Sequence, residues 1–200
     1  MAPVNSHIID TELIEGLRAG SQEAFRSLVD TYQQRVIRTC KGFVQSDDDA
    51  EDIAQEVFIE IWKSFNKFRG DAELSTWIYR ISVNKSLNFI RSAYKRKMLS
   101  FFQFPDSTIS SFTDDLAVST DYSPDDDLGR SEQAEAVKKA IDSLPSKQRT
   151  AFILSKYDDL SYKEIADVMN STIPSVESLI FRARQNLQKR LYIFYKKNML

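Results

Sequence analysis

The chain has 200 residues, 42% of them apolar, which is enough for one or two small globular cores. Its single cysteine and single histidine, Cys40 and His7, exclude an internal disulfide and a Cys/His metal cluster, and no apolar run approaches the length of a membrane span. The net charge of −2 conceals an acidic strip: residues 1–100 carry 14 basic and 14 acidic side chains, residues 101–130 one against seven, and residues 131–200 twelve against eight.

Thr11 to Ala19 reads as a short helix stopped by Gly20. Ser21 then suits the cap of a second helix, whose apolar residues Phe25, Leu28, Val29, Tyr32, Val36, Cys40 and Phe43 recur at spacings of three and four. Cys40, at one of these positions, is expected to be a small core residue. The cluster from Ser46 to Asp49 reads as a turn, with Asp48 and Glu51 forming a capping-box pattern for the next helix. That helix places Ile53, Val57, Phe58, Ile61, Trp62 and Phe65 on one stripe and leaves Asp52, Gln55, Glu56 and Glu60 largely off it. Gly70 suits the left-handed stop after it. Ser75 or Thr76 is placed to cap a helix through Trp77, Ile78, Ile81, Leu87 and Ile90 to about Lys97.

Periodicity disappears from about Met98 to Gly129, where Ser, Thr and Asp dominate and Pro105 and Pro124 act as breakers. This stretch reads as a flexible acidic connector that docks somewhere through Phe101, Phe102, Phe104 and Phe112. Beyond it, Ser131 to Ser143 reads as a helix with Val137, Ala140, Ile141 and Leu144 inward, stopped by Pro145, and Ser146 begins another. Ser161 and Glu164 form a capping box for a short helix, and Asn170 suits a left-handed turn. Thr172 caps a final helix with an inward stripe of Ile173, Val176, Ile180, Ala183, Leu187 and Leu191, which turns Ser175, Ser178, Leu179, Arg182 and Gln185 outward. A short capped helix, a tight turn and a longer helix with small polar residues at its start describe a helix-turn-helix, the geometry that sets a helix into the major groove of DNA. The fold class expected is therefore all-α: two small helical domains, at 1–97 and 131–200, joined by the connector at 98–130, the second domain holding the helix-turn-helix.

Function is written most densely between Asp47 and Lys97. Seven carboxylates, from Asp47 to Glu60, have no Lys or Arg among them, and nine cations, from Lys63 to Lys97, face only Asp71 and Glu73. Trp62, Phe65, Phe68, Trp77 and Tyr79 lie within and between the two blocks. The acidic end suits a basic or polar protein face, and the basic, aromatic end suits nucleic acid, where cations meet phosphates and rings stack on bases. Arg80, Asn84, Lys85, Asn88 and Arg91 share one side of their helix. An ordinary solvated face explains any one of them, whereas the set beside two Trp favours nucleic-acid contact. A free-standing helix-turn-helix regulator is the rival reading, but it has no need of aromatic residues in a basic helix. An enzyme fares worst, because no Ser/His/Asp set and no phosphate-cradling Gly loop is present, and carboxylates such as Asp52 and Glu56 on an exposed helix are usually solvated.

The stretches 49–58, 68–71 and 75–84 resemble the second conserved region of bacterial RNA polymerase sigma factors. Leu144-Pro145, the run from Leu160 to Ala166, and Phe181-Arg182-Ala183-Arg184 resemble the fourth region, and the likeness is greatest to the extracytoplasmic-function group. The resemblance implies a promoter-specificity subunit with no catalytic chemistry of its own, and no cofactor is expected; the lone Cys40 and lone His7 point to a cytoplasmic protein without structural metal. The resemblance also implies docking on the clamp helices of the polymerase's largest subunit through Asp49, Asp52, Gln55, Glu56 and Phe58, with Trp62 nearby, and contact with the flap region. It assigns melting and reading of the −10 element to Phe68, Arg69, Asp71, Ser75, Thr76, Trp77, Arg80, Asn84 and Lys85. The −35 element would fall to Thr172, Ser175, Ser178, Arg182 and Arg184. The connector would thread toward the polymerase's active and exit channels, and an anti-sigma factor is the expected antagonist. Glu177 and Leu179 stand where many relatives carry basic residues, so the −35 sequence itself is not carried over.

Overall fold

The computed structural model describes residues 6–44, 46–103, 128–158 and 160–198. Among them every regular element is helical: α1 (Ser6–Arg18), α2 (Gln22–Val44), α3 (Asp47–Ser64), a 3₁₀ turn (Phe65–Lys67), α4 (Leu74–Gln103), α5 (Leu128–Asp142), α6 (Ser146–Tyr157), α7 (Tyr162–Met169) and α8 (Ile173–Asn198). The all-α expectation holds.

Local chemistry sets most of the boundaries. Gly20 takes φ +73° after α1, and Ser21 Oγ accepts from the Ala24 amide at 3.3 Å to start α2. Helix α1 crosses α2 at Gly16, where a Cβ would come within 2.7 Å of the Ala24 Cβ, so the close approach depends on glycine. Helix α3 begins one residue after Ser46, whose hydroxyl accepts from the Asp49 amide at 3.3 Å. The expected turn at 46–49 is thus already helix, capped by Ser46 rather than by an Asp48–Glu51 box. Three aspartates in that first turn complement the positive end of the helix dipole, and Asp47 also bridges to Lys41 at 2.8 Å, tying the end of α2 to the start of α3.

Helix α4 departs from expectation at both ends. It starts at Leu74, ahead of Ser75 and Thr76, and continues to Gln103 rather than stopping near Lys97. Loss of amphipathic period ends a buried stripe but not a helix, and the first strong breaker on the sequence is Pro105, which disfavours helical backbone at Phe104. Likewise α5 starts at Leu128, just after three aspartates that suit a helix N-terminus, and not at Ser131. The remainder of the expected connector, with Phe104 and Phe112, lies outside the described residues.

Two bundles result. In the first, Leu28, Tyr32, Val36 and Cys40 of α2 meet Ala50, Ile53, Val57 and Ile61 of α3, Phe65 and Phe68 of the following loop, and Leu74 and Ile78 of α4. Cys40 is fully buried, and burial pushes its thiol up to about 11. In the second, Ala140, Ile141 and Leu144 of α5 pack on Ala183 and Leu187 of α8. Val137 is exposed, contrary to expectation, and Ala136 is buried in its neighbourhood instead. A further core is shared between the bundles: Phe43 of α2 and Tyr79 and Val83 of α4 join Ile153, Leu154, Ile165, Val168, Val176 and Ile180.

Candidate nucleic-acid and polymerase interface

Helix α3 buries one side in the first core and turns Asp52, Gln55 and Glu56 to solvent, with Asp49 half-buried at its start. Trp62 is exposed on the same helix, its ring edge-on to Phe25 at a centroid distance of 4.9 Å. Phe58 is not on this surface. It lies in the core at 8% exposure, so the periodic stripe placed it correctly and the assignment to docking did not. Ile59, which the sequence reading passed over, is 51% exposed. A spacing of three from Glu56, and three again to Trp62, was the signal that could have found it. The outer side of α3 is therefore a mixed acidic and apolar strip, suited to a protein face that carries cations around an apolar contact.

The loop between the 3₁₀ turn and α4 holds Arg69, Gly70, Asp71 and Glu73 exposed, with Gly70 at φ +80°. Beneath it three rings form a floor: Phe68 lies 5.6 Å from Phe65, and Trp77 lies 5.7 Å from Phe65 and 5.3 Å from Phe68. Phe68 is buried and its carbonyl accepts from Arg18 of α1 at 3.4 Å, while Thr76 is buried as well. These two shape the loop from below and do not line its open side, which corrects their assignment as surface readers. Trp77 is half-buried, so only part of its ring is available to a base.

Further along α4, Asn84 is exposed. Lys85 reaches back to α3, 3.4 Å from Glu60 and 3.7 Å from Glu56, which links the basic helix to the acidic one. Arg80 points to the second bundle, where its Nε and Nη2 donate to the Asp167 carbonyl at 3.2 and 2.5 Å. The expected basic face of α4 is thus partly spent on internal acceptors.

In the second bundle the helix-turn-helix has the expected local chemistry. Ser161 and Glu164 form a reciprocal capping box, Asn170 takes φ 48°, and Thr172 Oγ1 accepts from the Ser175 amide at 3.4 Å to cap α8. Ser178, Arg182 and Arg184 are exposed and Ser175 is half-buried. Two positions on α8 differ from expectation. Ile173, in the first turn, overhangs the core and is 43% exposed, and Leu179 packs against the shared core instead of facing away. Phe181 is the residue the sequence reading left without a role: it is 61% exposed beside Arg182. Among the described residues no group of His, Cys, Asp and Glu converges as a metal site.

Comparison with known proteins converges on one family. The Sigma-70 region 2 family model matches residues 28–96, and the Sigma-70, region 4 model matches residues 134–187. The RNA polymerase sigma-H factor of Pseudomonas aeruginosa is 35% identical over 187 residues, covering 91% of this chain and 93% of that protein. The ECF RNA polymerase sigma-E factor of Escherichia coli is 32% identical, covering 94% of this chain and 97% of that protein. Among solved structures, CnrH in complex with the cytosolic domain of CnrY shares the fold at a TM-score of 0.63 and 22% identity, over 92% of this chain and 98% of that one. The sigma factor RpoE in complex with the anti-sigma factor NepR, from Bartonella quintana, follows at a TM-score of 0.55 and 22% identity, over 84% of this chain and 97% of that one. With both conserved regions in order and near-complete coverage at more than 30% identity, the chain belongs to the extracytoplasmic-function (ECF) sigma factors, the group of the sigma-70 family that gives RNA polymerase its promoter specificity in transcription initiation.

Proposed function

We propose that this chain acts in the cytoplasm as a non-catalytic subunit that docks on core RNA polymerase through α3, opens and reads the −10 element with the 68–85 segment, and reads the −35 element with α8. The observation that carries the reading is the division of labour across the first bundle: a mixed acidic and apolar outer strip on α3, and a polar loop over an aromatic floor leading into α4. Asp49, Asp52, Gln55, Glu56, Ile59 and Trp62 form the strip that would meet the clamp helices. Unstacking a base step costs a few kcal/mol, which a pocket made by Arg69, Asp71, Ser75 and Asn84 around the edge of Trp77 can offset. On α8, Ser178 and Arg182 present the groove-facing polar groups, Phe181 adds an apolar contact of the kind that meets a thymine methyl, and Arg184 lies near the phosphates. An anti-sigma factor covering these surfaces is the expected antagonist, as in the family.

The test is transcription in vitro with core polymerase from the source bacterium on fragmented genomic DNA, followed by mapping of start sites. Addition of the protein should create a set of starts sharing −10 and −35 sequences. Asp52→Lys/Glu56→Lys should abolish both the starts and co-purification with core polymerase at unchanged helical content, since removing one side of a desolvated charge pair costs about 2–5 kcal/mol. Undiminished co-purification by the double variant would move the docking site elsewhere.

A further inference from the structure

Two unlike side chains share one flank of α8 near its start. The buried stripe of Val176, Ile180 and Ala183 fixes the inward side, and Glu177 and Phe181 both stand clear of it, exposed. Their spacing of four places one above the other on the helix surface. Ser175 and Ser178 beside them are small, which lets this end of the helix approach a groove floor closely. Arg182 and Arg184 follow on the next turns. Glu177 forms no ion pair or hydrogen bond with either of them, or with any other described residue.

An unpaired acid on a DNA-facing helix works against binding, because every phosphate along the groove repels it. Only a donor on a base edge offsets that repulsion. In the major groove the donors are the exocyclic amines of cytosine and adenine. Adenine sets its N7 acceptor beside the amine, and guanine and thymine present acceptors there, all of which repel a carboxylate. Cytosine presents its N4 amine alone, so a side chain that only accepts suits it best. Phe181 has the matching chemistry for a thymine methyl, the apolar group of the same groove. Four residues rise about 6 Å along the helix, and base pairs stack roughly 3.4 Å apart. Two bases read by this flank are therefore one or two steps apart on the strand it faces.

We propose that Glu177 is a specificity-determining residue of α8, which reads a cytosine of the −35 element by accepting from its N4 amine. Phe181 reads a thymine one or two base pairs away on the same strand. This deepens the reading of α8 as the −35 helix and rests on it. The acid lowers affinity for every sequence that lacks the cytosine, so it selects by rejection as well as by contact.

The test is selection by the full chain bound to core polymerase from a duplex library randomised over both promoter elements, with the bound templates sequenced. The wild type should enrich a −35 element holding a cytosine and a thymine at this spacing. Glu177→Ala should relax the cytosine position alone, by roughly five- to tenfold, and Phe181→Ala the thymine position alone. Glu177→Gln should move the cytosine to adenine, because an amide both accepts from N6 and donates to N7. Both side chains are exposed, so neither substitution opens the core. Affinity of Glu177→Ala for templates without the cytosine should rise as phosphate repulsion is removed. A merely solvated acid would produce that rise too, but not the loss of one base preference. A wild-type −35 element without the cytosine, or an unchanged preference there in Glu177→Ala and Glu177→Gln, would overturn the proposal. Enrichment of a −10 element with none at −35 would instead remove α8 from the −35 role, and Glu177 with it.

Discussion

Ser178 and Arg182 stand one turn apart on the exposed side of α8, and their side chains set what each can do. A serine reaches only a base edge or phosphate close to the backbone. An arginine spans to a phosphate or takes a guanine with two hydrogen bonds, the latter worth about 1–3 kcal/mol of discrimination. Phosphate contact is the commoner role, so Arg182→Ala should weaken promoter binding for all sequences and reduce the salt slope by roughly one unit. Ser178 variants should instead change which −35 sequence is preferred, as read by selection from a randomised −35 library. An unchanged slope with one relaxed base position in Arg182→Ala would exchange the two roles. Periodicity alone made both residues legible, because the stripe of Val176, Ile180, Ala183 and Leu187 fixes the buried side. Phe58 shows the converse. Its place on the apolar stripe of α3 was correct, and the family resemblance that moved it to the surface was not.

At the scale of elements, the caps of the helix-turn-helix were the most readable features because capping is short-range chemistry. Ser161, Glu164 and Asn170 carry their conformations within a few residues, and the structure realises all three. Ser161 Oγ accepts from the Glu164 amide at 3.3 Å while Glu164 Oε2 accepts from the Ser161 amide at 2.8 Å. Ser161→Ala should lower the stability of the second bundle by about 1 kcal/mol, measured by urea unfolding, and Ser161→Gly by a few tenths. Equal losses for the two would mean that the hydroxyl does not act as a cap. Helix ends were harder to read. The stretch after Lys97 carries no stripe, yet nothing in it opposes helix until Pro105, so α4 runs on to Gln103.

For the whole molecule, the packing of one bundle on the other left no mark on the sequence. Phe43, Tyr79 and Val83 recur at helical spacing like any core residue, and period reports which side of a helix is buried but not by what. Arg149 is the clearest case. It is 7% exposed, its Nη2 pairs with Asp142 at 2.5 Å and donates to Phe43 across the interface, and its Nε is buried without a hydrogen-bond partner among the described residues. Burial lowers its pKa and raises that of Asp142 despite the pairing, so desolvation outweighs attraction for both. With its folded pKa raised, Asp142 contributes stability below its ordinary value of 3.8 that is lost as pH rises through the folded value, and it does not drive acid unfolding. Arg149→Met should destabilise the chain by about 2–3 kcal/mol by leaving the half-buried Asp142 carboxylate without its partner, and Arg149→Met/Asp142→Leu should recover most of that loss. Thermal unfolding of the two variants side by side measures the difference, and equal losses would show that the charge left behind is not the cause.

The run of helix α4 to Gln103 and the start of α5 at Leu128 leave the 24 positions 104–127 between them. A chain of that length spans at most roughly 80 Å. Parting the bundles is then a unimolecular event, and each half faces the other at an effective concentration on the order of millimolar, whatever the amount of protein in the cell. Reclosure needs no encounter between molecules and does not slow on dilution. A competitor that enters the gap and grips only one bundle must contend with that millimolar neighbour. One that grips both is favoured by the same tether, because holding the first bundle delivers the second.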